Sequence, residues 1–220
     1  MIQNKVRALT ILFFAVSILH IIGILTNNSF FQIVFKPLII LSLIALYYDS
    51  VDKVNKWYVF ALLFSFIGDV LLMDKVNYFI FGIGAFLITQ VLFIKIISAQ
   101  LKKSTLTQKI LAATPFLVFF ALLIYVLKDD LNELFYPVAF YGFTISVFGM
   151  MSLLNYLVNR NSPASEYLLF GALIFIASDS MIALHKFHET KIFYPVTIMI
   201  TYFLAQYFIY KFMVKLKNNK

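Results

Sequence analysis

Residues Phe64–Met73 read FSFIGDVLLM, an apolar run interrupted by one serine and by an aspartate, Asp69, with no basic neighbour. A carboxylate at bilayer depth costs about 2.5–3.5 kcal/mol on insertion scales. If this run crosses a membrane, Asp69 needs a compensating partner and a reason to be there.

The surroundings say that it does cross. The chain of 220 residues is 62% hydrophobic and 13% charged, with a mean hydropathy of +0.92. A soluble domain is nearer 45–50% apolar and about 25% charged. Apolar segments fall near 6–25, 31–48, 57–73, 76–98, 108–127, 134–157, 166–184 and 191–213. Each is close to the ~20 residues that span a bilayer as helix. The expected fold is an all-α polytopic membrane protein of eight transmembrane helices, one integral membrane domain over 1–220. The third break, DKVN, is short and predicts a tight hairpin between the third and fourth helices.

The formal net charge is +8, and its placement is informative. Lys5, Arg7, Lys53, Lys56, Lys102, Lys103, Lys109, Arg160, Lys211, Lys215, Lys217 and Lys220 fall on one side of the membrane. Lys36, Lys75, Lys128, Lys186 and Lys191 fall on the other, and Lys95 lies near the inner end of the fourth segment. The positive-inside rule then puts both termini in the cytoplasm. The basic excess is a topology signal, so no nucleic-acid partner is expected. The first segment has a basic start but no small-residue cleavage site, and reads as a retained helix rather than a leader. With no cysteine, disulfides, thiolate metal sites and thiol nucleophiles are excluded.

Phe175–Leu184, FIASDSMIAL, repeats the opening feature: Asp179 lies in the seventh segment as Asp69 lies in the third, and 179 − 69 = 110, half the chain. Downstream of each comes an aromatic and a glutamine four apart, Phe86 with Gln90 and Tyr202 with Gln206. Upstream, Phe35–Pro37 and Phe135–Pro137 open the second and sixth segments. The pattern predicts a duplicated four-helix unit, with pseudo-repeats 1–105 and 106–220 related by an axis along the membrane normal. Both aspartates then lie roughly 18–20 Å from the cytoplasmic end of their helices. Lys36 and Tyr141, entering from the outer side, reach a similar level. Plainer roles exist for these residues. An aspartate can cap a helix or act as structural glue, Lys36 can snorkel, Ser65 and Ser178 can back-bond within their own helices, and Gly68 can allow close helix approach. Gln90 and Gln206 can hydrogen-bond between helices, and His185 and His188 read as interfacial loop residues.

Two carboxylates facing one cavity do not both ionise. One protonated and one charged carboxyl is the arrangement that acid/base hydrolysis of acid-labile ethers and acetals needs. Zinc hydrolysis fits poorly, because there are three histidines and His20 is far in sequence from the other two. No G-x-S-x-G elbow and no Gly-rich phosphate loop is present, and no metal or cofactor is expected.

These residues carry a resemblance. KPL (Lys36–Leu38), FSFIGDVLLM, GIGAFLITQ (Gly82–Gln90), PVAFY ending at Tyr141, GALIFIASDSMIAL (Gly171–Leu184) and TYFLAQ (Thr201–Gln206) occur in the order found in the lysoplasmalogenase, or YhhN-like, family of eight-span membrane proteins, which the sequence resembles. It departs at Gln90, where the family commonly has histidine. The resemblance implies hydrolysis of the vinyl ether bond of a lysoplasmalogen to a fatty aldehyde and a glycerophospho-headgroup, with Asp69 and Asp179 catalytic. Lys36 and Tyr141 would orient the headgroup or tune the pair, and Gln90, Ser178, Tyr202 and Gln206 would line the pocket. The expected partners are a lysophospholipid substrate and the surrounding lipids. The membrane is the cytoplasmic one in a bacterium and the endoplasmic reticulum in a eukaryote. The competing reading is a proton-coupled carrier or lipid flippase using the same aspartates. It sits less well with third and seventh segments that show no glycine–proline break.

Overall fold

A chain this apolar must satisfy its backbone internally, and helices do so within each segment. The computed structural model describes residues 2–74, 76–160 and 162–218. It consists of α1 (Ile2–Leu25), α2 (Ser29–Ser50), α3 (Lys56–Leu71), α4 (Phe79–Ser98), α5 (Leu106–Leu127), α6 (Phe135–Val158), α7 (Pro163–Ala183) and α8 (Tyr194–Asn218). A 3-10 turn at Asn132–Leu134 leads into α6, and a π-helical turn at Leu184–His188 prolongs α7. Among the described residues there is no strand. Seven helices are long and apolar enough to cross a membrane, which makes this an integral membrane protein. The exception is α3, whose 16 residues reach only about 24 Å. It stops early because the chain turns at Leu72 towards the polar hairpin loop.

The breaks between apolar runs carry the caps that end one helix and start the next. Asn27 takes a left-handed backbone, φ 52°, which asparagine tolerates better than most residues. Asn28 then caps α2 by accepting from the Phe31 N–H. Asn55 caps α3, accepting from Trp57 and Tyr58, and Thr105 with Gln108 forms a capping box on α5. In the α3–α4 loop Asp74 accepts from the Val76 and Asn77 backbone and from the Asn77 amide. The Asn77 side chain, with its backbone N–H, holds the Asp74 carboxyl below its usual range.

The chain forms two compact units, one comprising residues up to Thr89 with the tail from Met213, the other Gln90–Phe212. In the first, α1 lies close along α2. A Cβ on Gly23 would come within 2.6 Å of the Phe31 Cβ and 3.0 Å of the Gln32 nitrogen, so only glycine lets these backbones meet. The Gln32 amide closes the contact by donating to the Gly23 carbonyl at 3.0 Å. Tyr47 of α2 meets Tyr58 of α3 edge to face at 4.6 Å, and its hydroxyl accepts from the Asn55 N–H. The α3–α4 hairpin is antiparallel. Thr89 donates to the Ala61 carbonyl at 3.1 Å and lies 3.3 Å from the Ser65 hydroxyl. One turn on, the Phe86 ring covers Gly68, 2.7 Å from where a Cβ would stand.

In the second unit, Gln108 of α5 donates to the Leu157 carbonyl of α6 at 3.3 Å. Asn155 of α6 donates to the Ser165 hydroxyl of α7, also at 3.3 Å. Phe175 of α7 meets Phe148 of α6 and Tyr202 of α8 edge to face. Small residues and interhelical hydrogen bonds hold helices together where no hydrophobic effect acts between them. The faces left over carry Ile110, Leu117, Leu122 and Phe140, all exposed, as lipid contact requires.

Candidate functional site

In the first unit, three ionisable side chains from three helices form a series. Asp69 sits in the last turn of α3 and is 3% exposed. The glycine before it lets Phe86 close over the helix. Lys36, in the second turn of α2 and half-buried, lies within electrostatic reach of the Asp69 carboxylate. That positive charge is what a carboxylate at depth requires. Within electrostatic reach of Lys36 in turn is His20 of α1. The imidazole is buried, and its Nδ1 has no hydrogen-bond partner.

The second unit handles its aspartate differently. Tyr141 of α6 donates a short hydrogen bond to Asp179 of α7. Gln90, in α4 and fully buried, places its amide beside the Tyr141 hydroxyl, yet neither amide atom meets hydrogen-bond geometry. On α8, Gln206 donates to the Tyr202 hydroxyl at 3.5 Å, the outer limit of such a bond, and both are buried. Ser178, next to Asp179, gives its proton to the Ile198 carbonyl of α8 at 3.0 Å.

Several expectations change here. Ser178 does not back-bond: it reaches across to α8, since the close α7–α8 packing brings the Ile198 carbonyl within range. α7 begins at Pro163 and α3 at Lys56, so Asp179 is about one turn further along its helix than Asp69. His185 and His188 belong to the π-turn rather than to a loop, and His188 contacts Asp130 at 2.8 Å. The depth argument places Lys36, Tyr141 and both aspartates at one level without pairing them; within the units Lys36 lies in reach of Asp69 and Tyr141 donates to Asp179. His20 was missed. A lone histidine in an apolar helix was weighed only as a metal ligand, whereas the α1–α2 hairpin sets it beside the basic residue of α2. Among the described residues no three His, Asp or Glu side chains converge as a metal site. α3 and α7 run unbroken through their aspartates.

A protein-family model described as the YhhN family matches residues 31–213, a stretch that includes both aspartates, Lys36, Tyr141 and the two glutamines, and leaves out His20. Comparison with the curated proteins and with the solved structures found no match. The helical membrane architecture and a match over most of the length agree: this chain belongs to the YhhN family.

Proposed function

We propose that the protein is a membrane-embedded hydrolase that cleaves the vinyl ether bond of lysoplasmalogens, or of a closely related lysolipid, using Asp69 and Asp179. What supports this reading is that each aspartate has a partner of its own within its unit, Lys36 for one and Tyr141 for the other. Family membership is consistent with it. The chemistry asks for two carboxyl groups. A proton is added to the β-carbon of the vinyl ether, the slow step, leaving an oxocarbenium ion. Water attacks the oxygen-bearing α-carbon of that ion while a carboxylate takes its proton, and the hemiacetal collapses to a fatty aldehyde and the glycerol hydroxyl of the headgroup fragment. In this proposal Lys36 attracts the phosphate, Tyr141 holds Asp179, and Gln90, Ser178, Tyr202 and Gln206 line the path of the substrate. The parallel duplication, the cytoplasmic termini and a cytoplasmic or endoplasmic reticulum membrane are part of the same proposal.

The test is aldehyde release from 1-alkenyl-lysophosphatidylethanolamine by the purified protein in detergent, beside Asp69→Asn and Asp179→Asn. Each substitution is expected to lower turnover by about 10² to 10⁴ while the protein still folds. Wild-type turnover in either variant ends the assignment of that residue. No release from folded protein, with lipid movement driven by a pH gradient, replaces the hydrolase by a carrier.

A further inference from the structure

Within the second unit, α5 is fastened firmly at its middle and lightly beyond it. Phe116 fills the notch at Gly149 of α6, where a Cβ would stand 2.2 Å from its ring. The residue before it, Pro115, lies inside the helix. It has no N–H to give to the Leu111 carbonyl one turn back, so this turn is where α5 bends most easily. Further on, the contact with α6 is ordinary: the Phe120 ring and Leu123 lie 3.5 and 3.8 Å from where a Cβ on Gly142 would stand. Between Phe116 and Leu127 every residue of α5 is exposed or half-buried. Leu127 and Leu131 are buried at its end, but lipid tails are as apolar as leucine, so such burial holds helices together less in a bilayer than in water. The end is also held by a polar contact. Asp130, just past α5, meets His188 at 2.8 Å. The π-turn brings His188 there: it closes from Leu184 to Glu189 and rotates less per residue than the 100° of an α-helix. Both partners are partly exposed, 46% and 38%, and an exposed pair is readily released.

Tyr141 and Gly142 are neighbours on α6 and point about 100° apart. One donates to Asp179 of α7 and the other faces Phe120 of α5. With α5 joined to the end of α7 through Asp130 and His188, these parts of the three helices stand as a triangle with the Tyr141–Asp179 pair along one side. We propose that the seam between α5 and α7 is a lateral gate through which a single-chain lipid reaches that pair, with Asp130 and His188 as its latch and Pro115 as its hinge. A lipid substrate stays in the bilayer and has to enter from the side. Swinging the outer half of α5 away exchanges Phe120 and Leu127 contacts for lipid contacts of like polarity, so the latch sets how often the seam opens. The gate rests on the reading of Asp179 as part of the lipid site and adds the route to it.

The protein has no cysteine, so the latch can be locked at will. Asp130→Cys with His188→Cys, in the full-length protein in lipid nanodiscs, is bridged by a short bis-methanethiosulfonate reagent and released by reduction. The probe is a fluorescent 1-O-alkyl-lysophosphatidylethanolamine, whose saturated ether is not cleaved, and the readout is its association rate. The bridged form is expected to bind at background rate and to recover on reduction. Asp130→Asn with His188→Gln is expected to bind faster than wild type by up to about 5-fold, the most an exposed ion pair is worth. Thiols that cannot be bridged overturn the contact. A bridged form that binds as fast as the reduced one, or does not recover, overturns the gate, and an unlatched variant no faster than wild type overturns the latch. A wild type that binds the probe but releases no aldehyde from the alkenyl lipid sinks the hydrolase and leaves the gate, whereas one that binds no lysolipid sinks both.

Discussion

At the scale of residues, the two aspartates illustrate two ways of keeping a carboxyl group at depth. Asp69 has a cation at a distance, Lys36, and Asp179 has a hydrogen bond from a phenol. A cation that acts through space across a partly dry interior is worth about 1–2 kcal/mol. Its removal takes that interaction away from the carboxylate. Lys36→Met is therefore expected to lower thermal stability in detergent by about that amount, and Lys36→Met in an Asp69→Asn background by much less. Equal losses in the two backgrounds would show that Lys36 contributes packing alone. The aspartates stand out in the sequence because a charge in an apolar run is visible without coordinates. His20 does not, since its meaning comes from Lys36 across a hairpin.

At the scale of elements, the α3–α4 hairpin positions Asp69, and one glycine decides how closely it closes. A Cβ at Gly68 would stand 2.7 Å from the Phe86 ring, whereas one at Gly84 in α4 meets nothing within 4 Å. Overpacking a close contact costs about 1–3 kcal/mol, and replacing an unconstrained helical glycine by alanine gains about 0.5–1 kcal/mol. Gly68→Ala is thus expected to lower the melting temperature and the activity together, and adding Phe86→Leu to recover part of both. Gly84→Ala should raise the melting temperature. If the two alanine variants behave alike, the ring does not seal against Gly68. The positions of all eight helices were legible from hydropathy and from the polar turn residues. The third segment, 57–73, is already the shortest of the eight; its end was not legible, because the apolar run continues through Leu72 and Met73 after the helix has ended.

At the scale of the whole molecule, the distribution of basic residues predicts sidedness, and the absence of cysteine makes that easy to test. Single cysteines at the exposed positions Thr26, Lys53, Val76 and Lys103 sample four of the connections. With both termini in the cytoplasm, a membrane-impermeant maleimide is expected to label Thr26→Cys and Val76→Cys in intact cells. Lys53→Cys and Lys103→Cys should label only after permeabilisation. The reverse pattern would invert the topology and place the Lys36 end of α2 in the cytoplasm.

Hydrophobicity and charge act along the chain, so the sequence by itself determined the membrane environment, the helical class, the eight apolar segments and the anomaly of Asp69 and Asp179. Hydrogen bonds and electrostatic reach act across helices and depend on register to within a turn. Tertiary structure alone therefore decided that Tyr141 donates to Asp179 and that Ser178 bonds across to α8 rather than within its own helix. It also decided that His20 stands in series with Lys36 and Asp69, with a buried nitrogen unpartnered. A one-residue shift, about 100° around a helix, would have turned any of these side chains away, and no composition or spacing rule fixes that rotation.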